Sequence, residues 1–342
     1  MNNEARTSKP DAPPRLVEID GLRGIAAIIV ALFHIKIMLQ GAPNPLAWVW
    51  GADLILAKGW HLVDLFFVLS GFIFSHCYLR DGTMKDGTSP ASFAWARFSR
   101  LWPLHAAVLC FTAIMLFDDP STNALNFAGS LVMMHVFLPE IEVLNPPAWS
   151  ISVEVICYAI FALLALPKDK RIFAVGSVAL IVTGAILILS SEAPPIGRGL
   201  LGFFVGCCVY KYRDRLDALP LPVVCAGLIP FAFLDTSYKS LVIETMICWP
   251  AAIILAPRLG FLRWNAFQWL GSRSYAIYLV HVPMFIFTGN IAMLVPQIPS
   301  EIVVVAGLSI ALLVSDILHR RLEMPAQQFL RQLSFMQPKP AT

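Results

Sequence analysis

The chain has 342 residues, of which 58% are apolar and only 14% are charged. Charged residues approach a quarter of an ordinary soluble domain, so this composition excludes a soluble globular protein and predicts a membrane protein. The net charge of +3 is small, and Lys and Arg are dispersed between apolar runs, which excludes a nucleic-acid partner.

The apolar runs predict an all-α integral membrane protein, because each is near the roughly 20 residues that a helix needs to cross a bilayer. Residues 1–18 are polar, lack a cleavable signal peptide and are predicted to form a cytoplasmic tail. Residues 19–325 are predicted to form one membrane domain, and residues 326–342 a second cytoplasmic tail. The ten predicted spans are 22–40, 61–79, 101–117, 148–166, 172–190, 196–211, 220–235, 239–256, 273–294 and 301–319.

One further apolar run, 124–138, contains His135 and is short for a span, so it is predicted to be a re-entrant or interfacial segment. Short cytoplasmic loops accumulate Lys and Arg, and ten spans with both termini cytoplasmic satisfy that rule. Counting the short run as an eleventh span would place Lys168, Lys170 and Arg171 outside.

Ionisable groups inside a span are costly unless they are paired or face a polar cavity, so each is a functional candidate. Asp20 and Arg23 open the first span, and His34 follows Arg23 by eleven residues. That spacing is about three helical turns, so Arg23 and His34 share a face, roughly 16 Å apart along the axis. Arg23 is expected at the cytoplasmic surface and His34 deep in the bilayer. The alternatives are a snorkelling cation and a structural histidine.

The second span starts near Asp64 and contains Ser70 and Gly71, which would let a helix or a ligand approach the backbone closely.

The segment 93–103 has the pattern of an interfacial helix with aromatic anchors that precedes the third span. Arg97 and Arg100 within it are three residues apart, so both can face one anion. The alternative is an ordinary pair of cytoplasmic positive charges.

Trp149 opens the fourth span, where Ser150, Glu154 and Tyr158 recur every four residues and form a polar stripe. Glu154 lies about one turn inside the predicted outer face and needs a partner or water there.

The ninth span contains Tyr275, and places Ser274, Tyr278 and His281 on one face. Interfacial anchoring explains the tyrosines but not the histidine. Glu323 follows the tenth span, and a structural ion pair with an arginine explains it as well as a functional role does.

These groups favour acyl transfer from a thioester to an alcohol, which needs a base for the hydroxyl proton and donors for the developing oxyanion. His34 can be the base, with Glu154 as a second catalytic group. Arg23, Arg97 and Arg100 can hold the phosphates of coenzyme A.

No serine or cysteine lies in a G-x-S-x-G context, so direct transfer is favoured over a covalent acyl-enzyme. The seven cysteines show no metal-ligand spacing, so no metal is expected. The competing interpretation is a multi-span transporter or flippase of a glycan or lipid-linked intermediate.

The chain resembles the acyltransferase-3 family of membrane acyltransferases through six motifs that occur in the family's order. These are Asp20-Gly21-Leu22-Arg23-Gly24 with His34, Asp64 to Phe72, Arg97 to Pro103, Trp149 to Glu154, Ser274 to His281, and Glu323-Met324-Pro325.

This resemblance implies O-acylation, commonly O-acetylation from acetyl-CoA, of O-antigen, exopolysaccharide or another hydroxyl-bearing acceptor. It implies an essential catalytic role for His34 and donor binding by Arg23, Arg97 and Arg100, to which we add Ser70. A bacterial inner membrane is the expected location. Val155, beside Glu154, departs from the acidic and polar continuation found in relatives.

Some relatives carry a fused extracytoplasmic domain that helps deliver the acyl group. None is recognisable before Thr342, so we expect this chain to complete the transfer itself or with a separate partner protein. The acceptor is not specified: Trp48, Trp50 and Trp60 can stack on a sugar or anchor at the interface.

Overall fold

A computed structural model describes residues 14–39, 52–86, 88–138 and 140–333. The helices are α1 Val17–Phe33, α2 Lys36–Leu39, α3 Ala52–Lys58, α4 Leu62–Tyr78, α5 Pro90–Met115, α6 Ala124–Leu131, α7 Trp149–Ala165, α8 Lys170–Leu189, α9 Pro194–Asp217, α10 Leu221–Ala226, α11 Ile229–Phe233, α12 Tyr238–Leu255, α13 Asn265–Leu294, α14 Ser300–Leu318 and α15 Met324–Gln332. The strands β1 Leu79–Arg80 and β2 Thr83–Met84 form a small antiparallel hairpin.

Eight helical segments within these residues are long and apolar enough to cross a membrane, which confirms the all-α integral membrane fold. They are Val17–Leu39, Leu56–Tyr78, Pro90–Met115, Pro146–Ala165, Lys170–Leu189, Tyr238–Arg258, Asn265–Leu294 and Ser300–Gln332. Each overlaps one of the ten predicted spans.

The other two predicted spans, 196–211 and 220–235, have a different form. The first lies within α9, a helix of 24 residues whose charged residues reduce its apolarity. The second is broken into α10 and α11. The count of ten spans and the cytoplasmic position of both termini stay predictions.

The broken segment lies along α12. At one end of α12, Arg258 Nη2 donates a hydrogen bond to the Leu219 carbonyl at 3.0 Å. Nearer the other end of α12, Lys58 Nζ contacts Glu244 at 2.5 Å and donates to the Phe231 carbonyl at 2.7 Å. The chain between Leu219 and Phe231 therefore follows α12 as two short helices.

Glycines bring α4 and α9 into close parallel contact. A Cβ atom at Gly71 would lie 1.8 Å from the Phe203 carbonyl oxygen, and one at Gly206 would lie 2.0 Å from the Val68 carbonyl oxygen. Small residues allow this backbone approach in membrane bundles, where dispersion forces between helices replace the hydrophobic effect. The pair forms a scaffold that presents the other face of α4 to the bundle interior.

The predicted interfacial helix at 93–103 is instead the first part of a continuous helix, α5, of 26 residues. A capping box between Ser89 and Ser92 starts α5. Pro103 lies inside the helix without ending it, because membrane bundles can satisfy the carbonyl that a proline leaves free. Arg97 and Arg100 consequently belong to the bundle.

The short run 124–138 does not form a single spanning helix. Helix α6 has eight residues, about 12 Å, and the chain turns at Met133, whose φ is 57°. His135 Nε2 then donates to the Ala148 carbonyl at 3.2 Å, at the start of α7. Burial lowers the pKa of His135 to about 4, so this loop packs with a neutral imidazole.

The last helix extends beyond the predicted domain boundary at 325. Helix α14 passes through a π-helical turn, His319–Glu323, into α15, so residues 326–332 are helical, and the cytoplasmic tail at 326–342 stays a prediction. Trp95 Nε1 donates to the Leu330 carbonyl at 2.8 Å, which holds α15 against α5.

Replacing Gly206 by Ala should destabilise the bundle by about 1–3 kcal/mol or more, because the added methyl group forces α4 and α9 apart. The thermal midpoint of purified protein in detergent should fall. Gly260→Ala is the matched control, since a Cβ there meets no atom within 4 Å. Equal midpoints for the two variants would contradict the close α4–α9 contact.

Accessibility of introduced cysteines to an impermeant reagent in intact cells tests the topology. The loop charges place Lys168 and Asp214 inside, and Glu140 and Glu192 outside. Outside positions should be labelled in intact cells, whereas inside positions should react only after permeabilisation. Labelling of the Lys168→Cys variant in intact cells would overturn the ten-span arrangement.

Candidate active site

A cavity that is continuous with the exterior lies between α1, α4, α5, α7 and α13. Its polar lining residues are Arg23, Ser70, Arg97, Arg100, Ser150, Glu154, Tyr158, Ser274, Tyr275 and Tyr278. All except Tyr158 are site residues predicted from the sequence, and Tyr158 belongs to the predicted polar stripe of α7. The structure thus brings together predicted candidates from five helices.

Arg97 faces the cavity beside neutral aromatic groups. Its Nη2 donates to the Tyr78 hydroxyl at 2.8 Å, and its guanidinium lies 4.9 Å from the ring centroid of Phe74. Within the described part of the chain, the buried Nε has no hydrogen-bond partner. Arg97 therefore keeps hydrogen-bonding capacity and an unneutralised charge at the cavity wall.

Arg23 and Arg100 complete a set of three guanidinium groups. Arg23 Nη2 donates to the Ser274 hydroxyl at 3.0 Å, and its Nη1 is 3.5 Å from Asp20. Arg100 pairs with Glu323 and lies 5.7 Å from the ring centroid of Tyr275. A cavity with three cations and Glu154 as the lining carboxylate is suited to an anionic ligand.

The π-helical turn explains how Glu323 reaches Arg100. A π turn inserts one residue into an α-helix, so the side chains after it are rotated by about 100°. Glu323 is almost fully buried, accepts from Arg100, and lies 2.9 Å from His319 Nδ1. It thus lies behind the arginine and outside the cavity wall, and its partner belongs to a helix that precedes it by more than 200 residues.

Ser70 and Glu154 meet inside the cavity. The Ser70 hydroxyl donates to Glu154 Oε1 at 2.7 Å and links α4 to α7. Ser70 can point away from α9 because the neighbouring Gly71 makes the close contact with that helix. The carboxylate that the polar stripe predicted therefore has a neutral partner and is not consumed by an ion pair.

Three hydroxyl groups of α13 line the same wall. Tyr278 donates to the Pro147 carbonyl at 3.0 Å and lies 2.8 Å from the Ser150 hydroxyl. Tyr275 donates to the Leu101 carbonyl at 2.6 Å, and Ser274 accepts from Arg23. These contacts fix α13 against α5 and α7.

His34 and His281 form a pair behind Tyr278. Their nearest nitrogens are 3.2 Å apart, and the ring centroid of Tyr278 is 6.1 Å from that of His281. His34 caps the C-terminal end of α1 and is partly exposed, and it lies within the apolar segment Val17–Leu39, so its depth in the bilayer stays a prediction. The cavity lining does not include either histidine.

Asp20, Asp64 and Trp149 also lie outside the cavity wall. Asp64 is fully buried and binds Arg198 Nη2 at 2.7 Å. The Arg198 guanidinium lies between two indoles, 4.9 Å from Trp60 and 4.7 Å from Trp149. Asp20 pairs with Arg15 at 2.6 Å. The predicted sugar contacts Trp48 and Trp50 lie outside the described residues.

A second buried charge cluster, near the start of α4, was not among the predicted site residues. Glu244 is fully buried and lies 2.5 Å from both Lys58 Nζ and His61 Nδ1. Glu244 is an ionisable residue inside a predicted span, the same signal that singled out Glu154. Arg198, the partner of Asp64, carried that signal too.

Comparison with known proteins identifies related sequences. A family model described as an acyltransferase domain matches residues 16–320. Protein 2 in the picA locus of Rhizobium radiobacter is 30% identical over 201 residues, covering 51% of this chain and 96% of that protein. The acyltransferase MdmB of Streptomyces mycarofaciens is 29% identical over 165 residues, covering 44% of this chain and 40% of that protein.

The O-acetyltransferase OatA of Staphylococcus aureus is 22% identical over 377 residues, covering 94% of this chain but 59% of its own length. The matched regions are therefore less than two thirds of both MdmB and OatA. No solved structure matches the chain.

Proposed function

This chain belongs to the acyltransferase-3 family and is an integral membrane O-acyltransferase, and we propose that it transfers an acyl group from acyl-CoA to a hydroxyl of a glycan or related acceptor. Acetyl is the proposed acyl group, because one relative is named an O-acetyltransferase. The observation that carries the proposal is the cavity in which three arginines and Glu154 converge.

The donor-binding part of the proposal is supported by the charge balance of the cavity. Arg97 bonds to a neutral hydroxyl and has an unpartnered Nε, so it can bind a phosphate without first losing an ion pair. Arg23 lies at 3.5 Å from its carboxylate partner and can adjust in the same way. Guanidinium groups bind phosphates with paired hydrogen bonds, which suits the phosphates of coenzyme A. We propose that the donor enters from the cytoplasm.

The proposed chemistry is direct transfer with His34 as general base. The acceptor oxygen bonds to the thioester carbonyl carbon while its proton passes to the imidazole. The carbon–sulfur bond then breaks, and the thiolate of coenzyme A takes the proton from the imidazolium. Because Tyr278 separates the histidine pair from the cavity, the thioester end of the donor must lie close to Tyr278 or displace its ring.

Glu154 is proposed to orient the acceptor hydroxyl. A carboxylate has about four lone-pair sites, of which the Ser70 hydroxyl occupies one, so Glu154 can also accept from a sugar hydroxyl. Its charge also offsets part of the positive charge in the cavity. We propose that the acceptor arrives from the opposite side of the membrane to the donor, in a bacterial inner membrane, with or without a separate partner protein.

His34→Ala should lower acyl transfer by about 10²–10⁴-fold, because a positioned general base contributes that much to the rate. The measurement is thioester consumption by purified protein in the presence of acceptor. His76→Ala is the control, since His76 lies on α4 and contacts the Pro14 carbonyl rather than the cavity. Activity of His34→Ala within a few-fold of the parent, at equal folded yield, would reject the base assignment.

Arg97→Ala should raise the KM for acyl-CoA by about 10- to 150-fold, the equivalent of losing a charge-assisted hydrogen bond of roughly 1.5–3 kcal/mol. Arg97→Lys should recover part of the loss, because a point charge does not reproduce the planar fork. Arg80→Ala is the control: it removes an exposed arginine that does not line the cavity.

Steady-state kinetics with each substrate varied in turn decides the outcome for Arg97. A KM defect confined to the acceptor would reject the proposed donor site. A chain that consumes no acyl-CoA with any acceptor would reject the proposed function as a whole.

A further inference from the structure

The two histidines of the pair are held in register by the contact between α1 and α13. A Cβ atom at Gly24 would lie 2.6 Å from the Gly271 backbone nitrogen, so the two helices touch at this point. His34 follows Gly24 by ten residues, and His281 follows Gly271 by ten residues. Because the helices run parallel, equal spacing carries both imidazoles to the same level, about 15 Å further along.

Each imidazole is also bound to a carbonyl of its own helix. His34 Nδ1 is 2.9 Å from the Val30 carbonyl oxygen, and His281 Nδ1 is 3.0 Å from the Ile277 carbonyl oxygen. A carbonyl oxygen only accepts hydrogen bonds, so Nδ1 must carry the proton in both rings. In a neutral imidazole, Nε2 then keeps its lone pair.

The contact between the two rings agrees with this assignment. His281 Nε2 lies 3.2 Å from His34 Nδ1. With the proton on Nδ1 of His34 and a lone pair on Nε2 of His281, His34 donates to His281. The reverse assignment would direct the His34 Nδ1 lone pair at the Val30 carbonyl and the His281 Nδ1 lone pair at the Ile277 carbonyl. Both contacts would then be repulsive.

We infer that His281 is a positioning residue that accepts the Nδ1 proton of His34 and leaves Nε2 of His34 bare as the basic nitrogen. This inference rests on the proposed role of His34 as general base. The acceptor proton then moves to Nε2, and the resulting imidazolium keeps its hydrogen bonds to His281 and Val30 without rearrangement. An acceptor that is already oriented stabilises the charge as it develops.

Burial makes His281 suitable for this task. It has no exposed surface, so water does not compete for its Nε2, whereas His34 is partly exposed and can receive a substrate. In other enzymes the catalytic histidine donates its Nδ1 proton to a carboxylate, and here a neutral imidazole takes the position of that carboxylate. An imidazole avoids the cost of a buried, unpaired anion when His34 is neutral.

The first test is spectroscopic and does not depend on activity. Nitrogen-15 NMR of histidine-labelled protein in lipid nanodiscs distinguishes a protonated from a bare ring nitrogen, and a His34→Gln sample identifies the signals of His34. At a pH where His34 is neutral, the expected result is a protonated Nδ1 and a bare Nε2. A protonated Nε2 on neutral His34 would overturn the inference.

The second test compares two substitutions of similar size. His281→Leu removes the acceptor and should lower kcat by about 10- to 100-fold, the effect of losing a hydrogen bond to a charged group, while both KM values change little. His281→Gln restores a side-chain carbonyl at similar reach and should recover much of the loss. A merely structural role for His281 predicts equal defects in the two variants.

The two tests separate failure of this inference from failure of the proposed function. A bare Nε2 together with an active His34→Ala variant would reject the base role and leave the hydrogen bond intact. An inactive His34→Ala variant together with full activity of His281→Leu would reject the positioning role alone. If His281→Leu does not fold, a protonated Nε2 on neutral His34 of the parent protein would still overturn the inference.

Discussion

Ion pairing inside an apolar bundle is the constraint on which the rest of this structure depends. An isolated charge in a low-dielectric interior is costly, so each must find a partner or a polar cavity. Asp64 pairs with Arg198, and Glu244 pairs with Lys58. These contacts join α4, and the short helix α3 before it, to helices that follow much later in the chain. Removing one partner of such a pair would leave a buried charge, which destabilises strongly.

Against this background, Arg97 in the cavity wall differs from the paired charges. Arg198 is closed off by a carboxylate and two indoles, whereas Arg97 faces open space beside a tyrosine hydroxyl. Because both residues are arginines, the neighbouring groups alone make Arg97 available to a ligand and Arg198 not. A bundle that neutralises its structural charges in pairs and leaves guanidinium groups at a cavity wall retains binding capacity for an anion.

Close backbone contacts provide the geometry that the polar groups need. The Gly71 and Gly206 contacts fix α4 on α9, which turns Ser70 toward Glu154 on α7. The Gly24 and Gly271 contact fixes α1 on α13 and aligns the two histidines. In both places the glycines set the distance between helices, and that distance determines which polar side chains can form hydrogen bonds.

Local sequence patterns were enough to predict most of the polar residues that line the cavity. Intramembrane polar residues are rare and helical spacing is regular, so Arg23, Arg97, Arg100 and the stripe from Ser150 to Glu154 could be recognised without knowledge of the fold. Apolar runs likewise predicted the all-α membrane fold. The sixth and seventh apolar runs have a different form in the structure, because charged residues lower the apolarity of α9 and a break separates α10 from α11.

Pairing across the bundle was decided only by the tertiary structure. Nothing local indicates that Asp64 binds Arg198, that a π turn carries Glu323 to Arg100, or that His34 meets His281. The same limit explains why the cavity lining includes Arg23 but not His34, although the sequence predicts both on one face of the first helix. The sequence determined which groups are polar and which face of a helix they share. Which helices lie side by side depends on packing between segments far apart in the chain, and that packing decided which of these groups touch.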